Sequence, residues 1–208
     1  MVSSEIRSAF IPFDHEVGYE RAVALAAAYF NEFGLRPVIV APNKAVLEFN
    51  ERLKHYSKGR DVVTPMNENR SRVGHGVPVL IYVPALKELE LGLRHANGAP
   101  VVVIEDQFNS CVAWADETGA INLLEAGKVH AVDRTPEHEE LLEAIDFAGN
   151  NGWSDDYGKR DLRKLLAEAK RAGWLNKDDI VAYQLVKGRH HHYHSLVYLQ
   201  EEIDKAAG

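Results

Sequence analysis

Apolar and polar positions along this chain follow two periods, and the switches between them divide the sequence into elements. Short runs rich in β-branched residues read as strands: SAFIPF (8–13), PVIVAP (37–42), DVVTP (61–65), PVLIYVP (78–84), PVVVIED (100–106) and KVHAVD (128–133). PVLIYVP and PVVVIED are apolar on both faces, the pattern of strands covered by helices on each side. Pro37, Pro78 and Pro100 open three of the runs, where a missing N–H is tolerated. Between them the apolar spacing widens to three and four. It predicts helices over 16–33, ending at Gly34; 43–57, opening at Asn43; 85–96, ending before Asn97-Gly98; 108–118; and 136–148, opening at Thr135-Pro136 and closing at Gly149.

Strands alternating with helices of this length imply βαβ units and a mostly parallel sheet. The expected fold is α/β: a Rossmann-like domain over 1–149, with PVLIYVP and PVVVIED as adjacent parallel strands joined by the 85–96 helix. After Gly149 the pattern changes. NNGWSDDYG (150–158) is turn-rich and reads as a linker. Helical stretches at 159–172, 177–187 and 192–206 then predict a three-helix C-terminal unit, 150–208.

Composition narrows the function classes. With 208 residues, 46% of them hydrophobic and 26% charged, the chain suffices for one sizeable core or a core with an appendage. The start, MVSSEIRSAF, does not read as a signal peptide, and no apolar run approaches the roughly 20 residues of a membrane span. Cys111 is the only cysteine, so neither an intramolecular disulfide nor a thiolate-rich zinc site is expected, and a reducing cytoplasm fits. The net charge of -7 is unevenly placed: residues 105–157 carry 2 Lys+Arg against 13 Asp+Glu, whereas 158–194 carry 9 against 4. Either the basic segment packs on the acidic one, or residues 159–194 recruit nucleic acid or an acidic protein.

Most catalytic fingerprints fail on mechanism. GHGVPV (74–79) lacks the third glycine of a dinucleotide loop and precedes a strand instead of following one. GWSDDYGKR (152–160) resembles a Walker A loop but has five residues between its glycines, Arg in place of Ser or Thr, and no strand before it. No G-x-S-x-G is present, and Cys111 sits in a helical pattern where a free cysteine is packing.

The remaining candidates sit where strands end, the edge at which open α/β sheets bind ligands. The loop MNENRSRVGHG (66–76) offers Arg70 and Arg72 to a phosphate or carboxylate, and Gly74 and Gly76 allow close backbone approach. The alternative is a solvated surface loop. Asp14-His15 follows the first strand and Glu105-Asp106 ends the fifth, so these groups are expected to converge as acid–base candidates. Helix capping is the alternative for Asp14 and Asp106.

AFIPFD, the long helix leading into EFGLRPVIVAP, and VLIYVPALKELELGLRHANGAPVVVIED together resemble the nucleoside deoxyribosyltransferase-like Rossmannoid proteins over about half the chain. In that family a helix-borne glutamate attacks the anomeric carbon of the sugar. Glu90-Leu91-Gly92 and Gly98-Ala99-Pro100 take the corresponding places here, which implies Glu90 as the nucleophile. Where the family has a small Asp-Ser-Gly segment, this chain has Ala85-Leu86-Lys87.

GRHHHYHS (188–195) reads as a junction between helices, with histidines that cap or titrate more than they bind metal; no metal ligand set and no cofactor are assigned. The leading expectation is a protein that binds a nucleotide-like or phosphorylated small anionic molecule at the carboxyl edge of the sheet, as a transferase or hydrolase. The competing one is a non-catalytic binding protein that uses its basic C-terminal helices.

Overall fold

The computed structural model describes residues 6–125, 127–150, 152–187 and 193–208. Its chain divides into two compact units, 1–131 and 132–208.

The first unit is an open, all-parallel six-stranded sheet with helices, the α/β architecture expected. The strands are β1 (Ala9–Ile11), β2 (Val38–Val40), β3 (Val62–Val63), β4 (Val79–Tyr82), β5 (Val101–Ile104) and β6 (Ile121–Asn122), in spatial order β3-β2-β4-β5-β1-β6. The expected pair is there: β4 and β5 are adjacent, parallel and wholly buried, from Val79↔Val101 to Tyr82↔Ile104. Such strands have no solvent face, which is why their sequence shows no alternation. Each buried Val, Leu or Ile contributes up to about 1.5–3 kcal/mol.

Register carries the two faces across the sheet. Ile39, Leu80, Val102 and Ala9 are aligned by successive pairings. They share one core with Ala22, Val23, Ala26 and Phe30 of α1 (Gly18–Glu32) and Leu53 of α2 (Glu51–Ser57). Val79 and Ile81 point the other way, toward Gly92 of α3 (Leu86–Ala96). On that helix the Glu88 carboxylate accepts the Ala85 N–H at 3.0 Å, closing the first turn. Asn97 and Gly98 close the last in left-handed conformations.

Three elements differ from the sequence expectation. KVHAVD forms no strand; Val129 makes only an isolated antiparallel bridge to Ile121, and the sixth strand is Ile121–Asn122. The helix expected over 43–57 is broken. A 3-10 turn (Lys44–Leu47) is capped by Asn43, and α2 starts again behind Asn50, whose Oδ1 accepts the Leu53 N–H at 2.8 Å. The helix expected from 108 is α4 (Val112–Thr118), because Asp106 Oδ1 accepts the Phe108 and Asn109 N–H groups at 2.7 Å and holds that stretch in a turn.

Among the described residues the second unit contains four helices: α5 (Pro136–Ala148), α6 (Asp156–Ala172), α7 (Lys177–Lys187) and α8 (Tyr193–Ala207). The boundary therefore falls at 131/132 and not at 149/150, and α5 joins the helical unit. Leu141, Leu142 and Ile145 give α5 a buried face, and α5 packs on α6 and α7. NNGWSDDYG is no loose linker either. Trp153 is fully buried and donates its indole N–H to the Ile145 carbonyl at 2.9 Å. A Cβ at Gly158 would stand 2.7–2.8 Å from the Gly152 and Ala148 carbonyl oxygens, so the glycine that resembles a Walker residue permits a close helix approach. Among the described residues no helix is long and apolar enough to cross a membrane.

Candidate functional site

The strand order makes the chain's paths diverge between neighbouring strands at β2 and β4. From β2 the chain proceeds outward to β3, whereas from β4 it proceeds the other way to β5, and β2 and β4 are neighbours. Between diverging connections an open α/β sheet leaves a crevice at the carboxyl ends of its strands. A crevice of about 420 Å³ is found there. Four connections line it. Tyr19 and Glu20 come from the start of α1, Phe49 and Asn50 from the break before α2, Tyr82 and Val83 from the end of β4, and Asp106 and Phe108 from the turn after β5.

Its deep wall is tyrosine. The Tyr19 and Tyr82 rings meet with centroids 5.9 Å apart. Tyr82 is almost wholly buried, and its hydroxyl accepts a hydrogen bond from Asn50 Nδ2 at 3.2 Å. Because Asn50 Oδ1 is engaged by the Leu53 N–H, the amide has one orientation, and Nδ2 must face the phenol. The Tyr82 O–H proton is then left for the crevice. Burial raises both phenol pKa values, with Asp106 adding to the effect at Tyr19 and Glu20 at Tyr82, so both remain neutral donors.

Its rim is apolar and exposed. Phe49 and Phe108 are 88% and 80% exposed, an unfavourable position for two phenyl rings beside a cavity. Val83, at the floor, has φ 45, a left-handed conformation that a β-branched residue rarely adopts, and its N–H is held by the Ile104 carbonyl at 2.8 Å. Such strain costs of order 1–3 kcal/mol and is concentrated at functional sites.

Of the residues expected from sequence, Asp106 lines the crevice. Glu105 is beside it but is buried and saturated. It accepts the Phe13 N–H at 3.0 Å, the Cys111 N–H at 2.7 Å and the Ser110 hydroxyl at 3.2 Å, tying the loop after β1 to the loop after β5. Asp14 accepts the Glu16 and Val17 N–H groups at 2.7 and 3.2 Å, and the exposed His15 ring rests edge-on against Phe13 at 4.6 Å. Phe13 in turn touches Tyr19 at 5.7 Å. Asp14, His15 and Glu105 thus shape the loop that leads into α1 and Tyr19.

The glycines do not reach this edge. The 66–76 loop returns along the sheet to the start of β4: the Gly76 N–H meets the His95 carbonyl at 2.9 Å and the Gly74 carbonyl meets His95 Nδ1 at 3.2 Å. His95 is in the last turn of α3, at the opposite edge of the sheet. Arg70 and Arg72, on the same loop, are exposed and are not among the residues lining the crevice. Glu90 is only 8% exposed and is held by Arg94, at 2.8 Å to Nε and 3.4 Å to Nη2, while Arg94 also pairs with Glu68. A buried carboxylate clamped by a guanidinium is a structural anion, not a free nucleophile. Burial, with Glu105 and Asp106 nearby, pushes the Cys111 thiol up to about 12, which leaves almost no thiolate.

Comparison of the chain with protein-family models, curated proteins and solved structures finds no match. Sequence reading missed Tyr19, Phe49, Asn50 and Tyr82. Asn50, a residue type favoured at helix N-caps, was the available signal.

Among the described residues no three His, Cys, Asp or Glu side chains group as a metal ion would require. His190, His191 and His192 lie outside the described residues, so the expected helix junction does too. His194 is exposed in the first turn of α8, its ring edge-on to Tyr193.

Proposed function

We propose that the protein binds a small organic molecule with a flat apolar face, of about nucleoside size, in the crevice between β2 and β4. One observation carries this: two exposed phenylalanines, Phe49 and Phe108, flank a cavity at the divergence point of a parallel sheet. A cavity of this size falls in the range of small-molecule sites, and apolar walls with few polar groups are their usual lining. The nucleotide-like half of the sequence expectation is compatible with it. The phosphate half lacks a partner, because no Lys, Arg or His lines the crevice. A transferase or hydrolase step would draw on Asp106 as base and the Tyr82 hydroxyl as donor.

The test is a titration with adenosine followed by amide NMR shifts. Shifts should concentrate at residues 19–20, 46–50, 82–83 and 106–108. Phe49→Ala with Phe108→Ala should weaken binding about tenfold or more, the loss of roughly 1.4 kcal/mol of contact. Shifts elsewhere would sink the proposal, and none up to millimolar adenosine would exclude a nucleoside as the ligand.

The competing expectation keeps one observation in its favour. A groove of about 480 Å³ between α6 and α8 is rimmed by Arg163, Lys170, Arg171 and Lys205 over Leu166 and Ala206. An acidic protein or nucleic acid would be retained there at low salt and released as salt rises. Much of that charge is already engaged, since Arg163 and Lys205 hold Glu202, and Lys170 donates to the Ala206 and Ala207 carbonyls.

A further inference from the structure

We infer that the ligand of the β2/β4 crevice is an organic cation, an ammonium or protonated heterocycle on an apolar body. The inference rests on the binding reading above and names its ligand class.

Four aromatic rings and two carboxylates, from Tyr19, Tyr82, Phe49, Phe108, Glu20 and Asp106, line the crevice together with Val46, Asn50 and Val83, and no cationic side chain is among them. Aromatic faces carry negative quadrupole potential and attract a cation within about 6 Å of the ring centroid. The carboxylates add charge of the same sign. Glu20 is partly answered: its oxygens accept the Arg52 N–H at 3.2 and 3.3 Å, and Arg52 Nε lies 3.7 Å away at a solvent-exposed position. Asp106 has no ion pair among the described residues. Its partners are the Phe108 and Asn109 N–H groups and the Asn109 amide. Burial is the main cause of the raised Tyr19 and Tyr82 phenols, and the carboxylates of Asp106 and Glu20 add to it.

An anion entering this space would lose hydration and meet like charge at Asp106. A neutral molecule would gain the apolar contacts only. A cation gains the contacts, the ring faces and the carboxylate together. The Asn50–Tyr82 pair then has a distinct part, since its free O–H offers a donor to an acceptor atom on the ligand body.

The experiment uses three probes with one skeleton: phenethylammonium, 2-phenylethanol and phenylacetate. Each is titrated into the full chain and followed by amide NMR shifts, with adenosine as a fourth, uncharged probe. Phenethylammonium should bind on the order of tenfold more tightly than 2-phenylethanol, and phenylacetate most weakly. Asp106→Asn keeps the turn-forming Oδ1 and removes the charge. It should abolish the preference, weakening the ammonium about tenfold relative to the alcohol. Phe49→Ala with Phe108→Ala should weaken all probes alike. Unchanged thermal unfolding and an unchanged amide NMR spectrum outside the crevice establish that Asp106→Asn is folded.

Equal binding of ammonium and alcohol, tighter binding of phenylacetate, or an ammonium preference that survives Asp106→Asn would overturn the cation assignment. The crevice reading would stand in those cases, because the probes would still bind there. Absence of binding by all four would overturn both.

Discussion

An added Cβ at Gly92 would stand 2.3 Å from Ile81 Cδ1 and 2.6 Å from Cγ1. Ile81 is fully buried in β4, so its end has no open space to turn into. Helix propensity favours Ala over Gly by about 1 kcal/mol, whereas overpacking a core costs about 1–3 kcal/mol. Gly92→Ala should therefore lose about 1 kcal/mol net, seen as a lower urea midpoint at unchanged slope. A higher midpoint would mean that α3 moves off the sheet freely. In sequence, Gly92 and Glu90 are indistinguishable from a sugar-binding pair, because a glycine needed for close packing looks the same as one needed for close ligand approach. Only the contacts separate the two. Glu90 is tied to Arg94, and Gly92 lies under Ile81.

At the scale of elements, what the sequence disclosed follows from how many residues vote. PVLIYVP and PVVVIED each bury four consecutive strand residues, and the run is unmistakable. The sixth strand has two residues, too few for any period, so a more β-branched stretch nearby took its place in the reading. The break at Phe49-Asn50 was invisible to periodicity because a cap residue inside an apolar pattern resembles any polar position. Spatial order was also hidden: β1 lies beside β5 and β6, far from β2 in the sheet. The crevice depends on that order, which is why its lining was not foreseen as a group.

Between α6 and α8, Glu202 is almost wholly covered and accepts from Arg163 at 2.6 Å and Lys205 at 2.8 Å. Hydrogen bonds from Arg163 hold its pKa at about 2. A depressed carboxylate pKa contributes stability above the unfolded value, near 4.3, and that contribution is lost as pH falls toward 2. The unscreened upper limit is about 3 kcal/mol. Both cations are more than half exposed, so about 1–2 kcal/mol is the expected size. Thermal unfolding of the parent chain and of Glu202→Gln should differ most near pH 6 and converge toward pH 2–3. A gap independent of pH would assign the effect to packing instead of charge.

For the whole molecule, the change of pattern after the last strand was legible, but its position was not. Turn residues cluster after Gly149 and point to a boundary there, whereas α5 buries Leu142 and Ile145 and the following turn buries Trp153, within the helical unit. Each unit has its own core. Residues 1–131 enclose the sheet, and 132–208 enclose Leu162, Leu166, Tyr183, Leu196 and Leu199. Every residue lining the crevice lies in the first unit. The fragment 1–131 should therefore fold alone, show an α/β circular dichroism spectrum and bind the probes with the affinity of the full chain. The fragment 132–208 should be helical but less stable, because a chain of about 77 residues buries a smaller fraction of its surface. Urea unfolding of the full chain followed by tryptophan fluorescence should show two transitions, with Trp114 reporting the sheet and Trp153 the helices. An unfolded 1–131 fragment, or a folded one that loses the probes, would show that the site requires the helical unit.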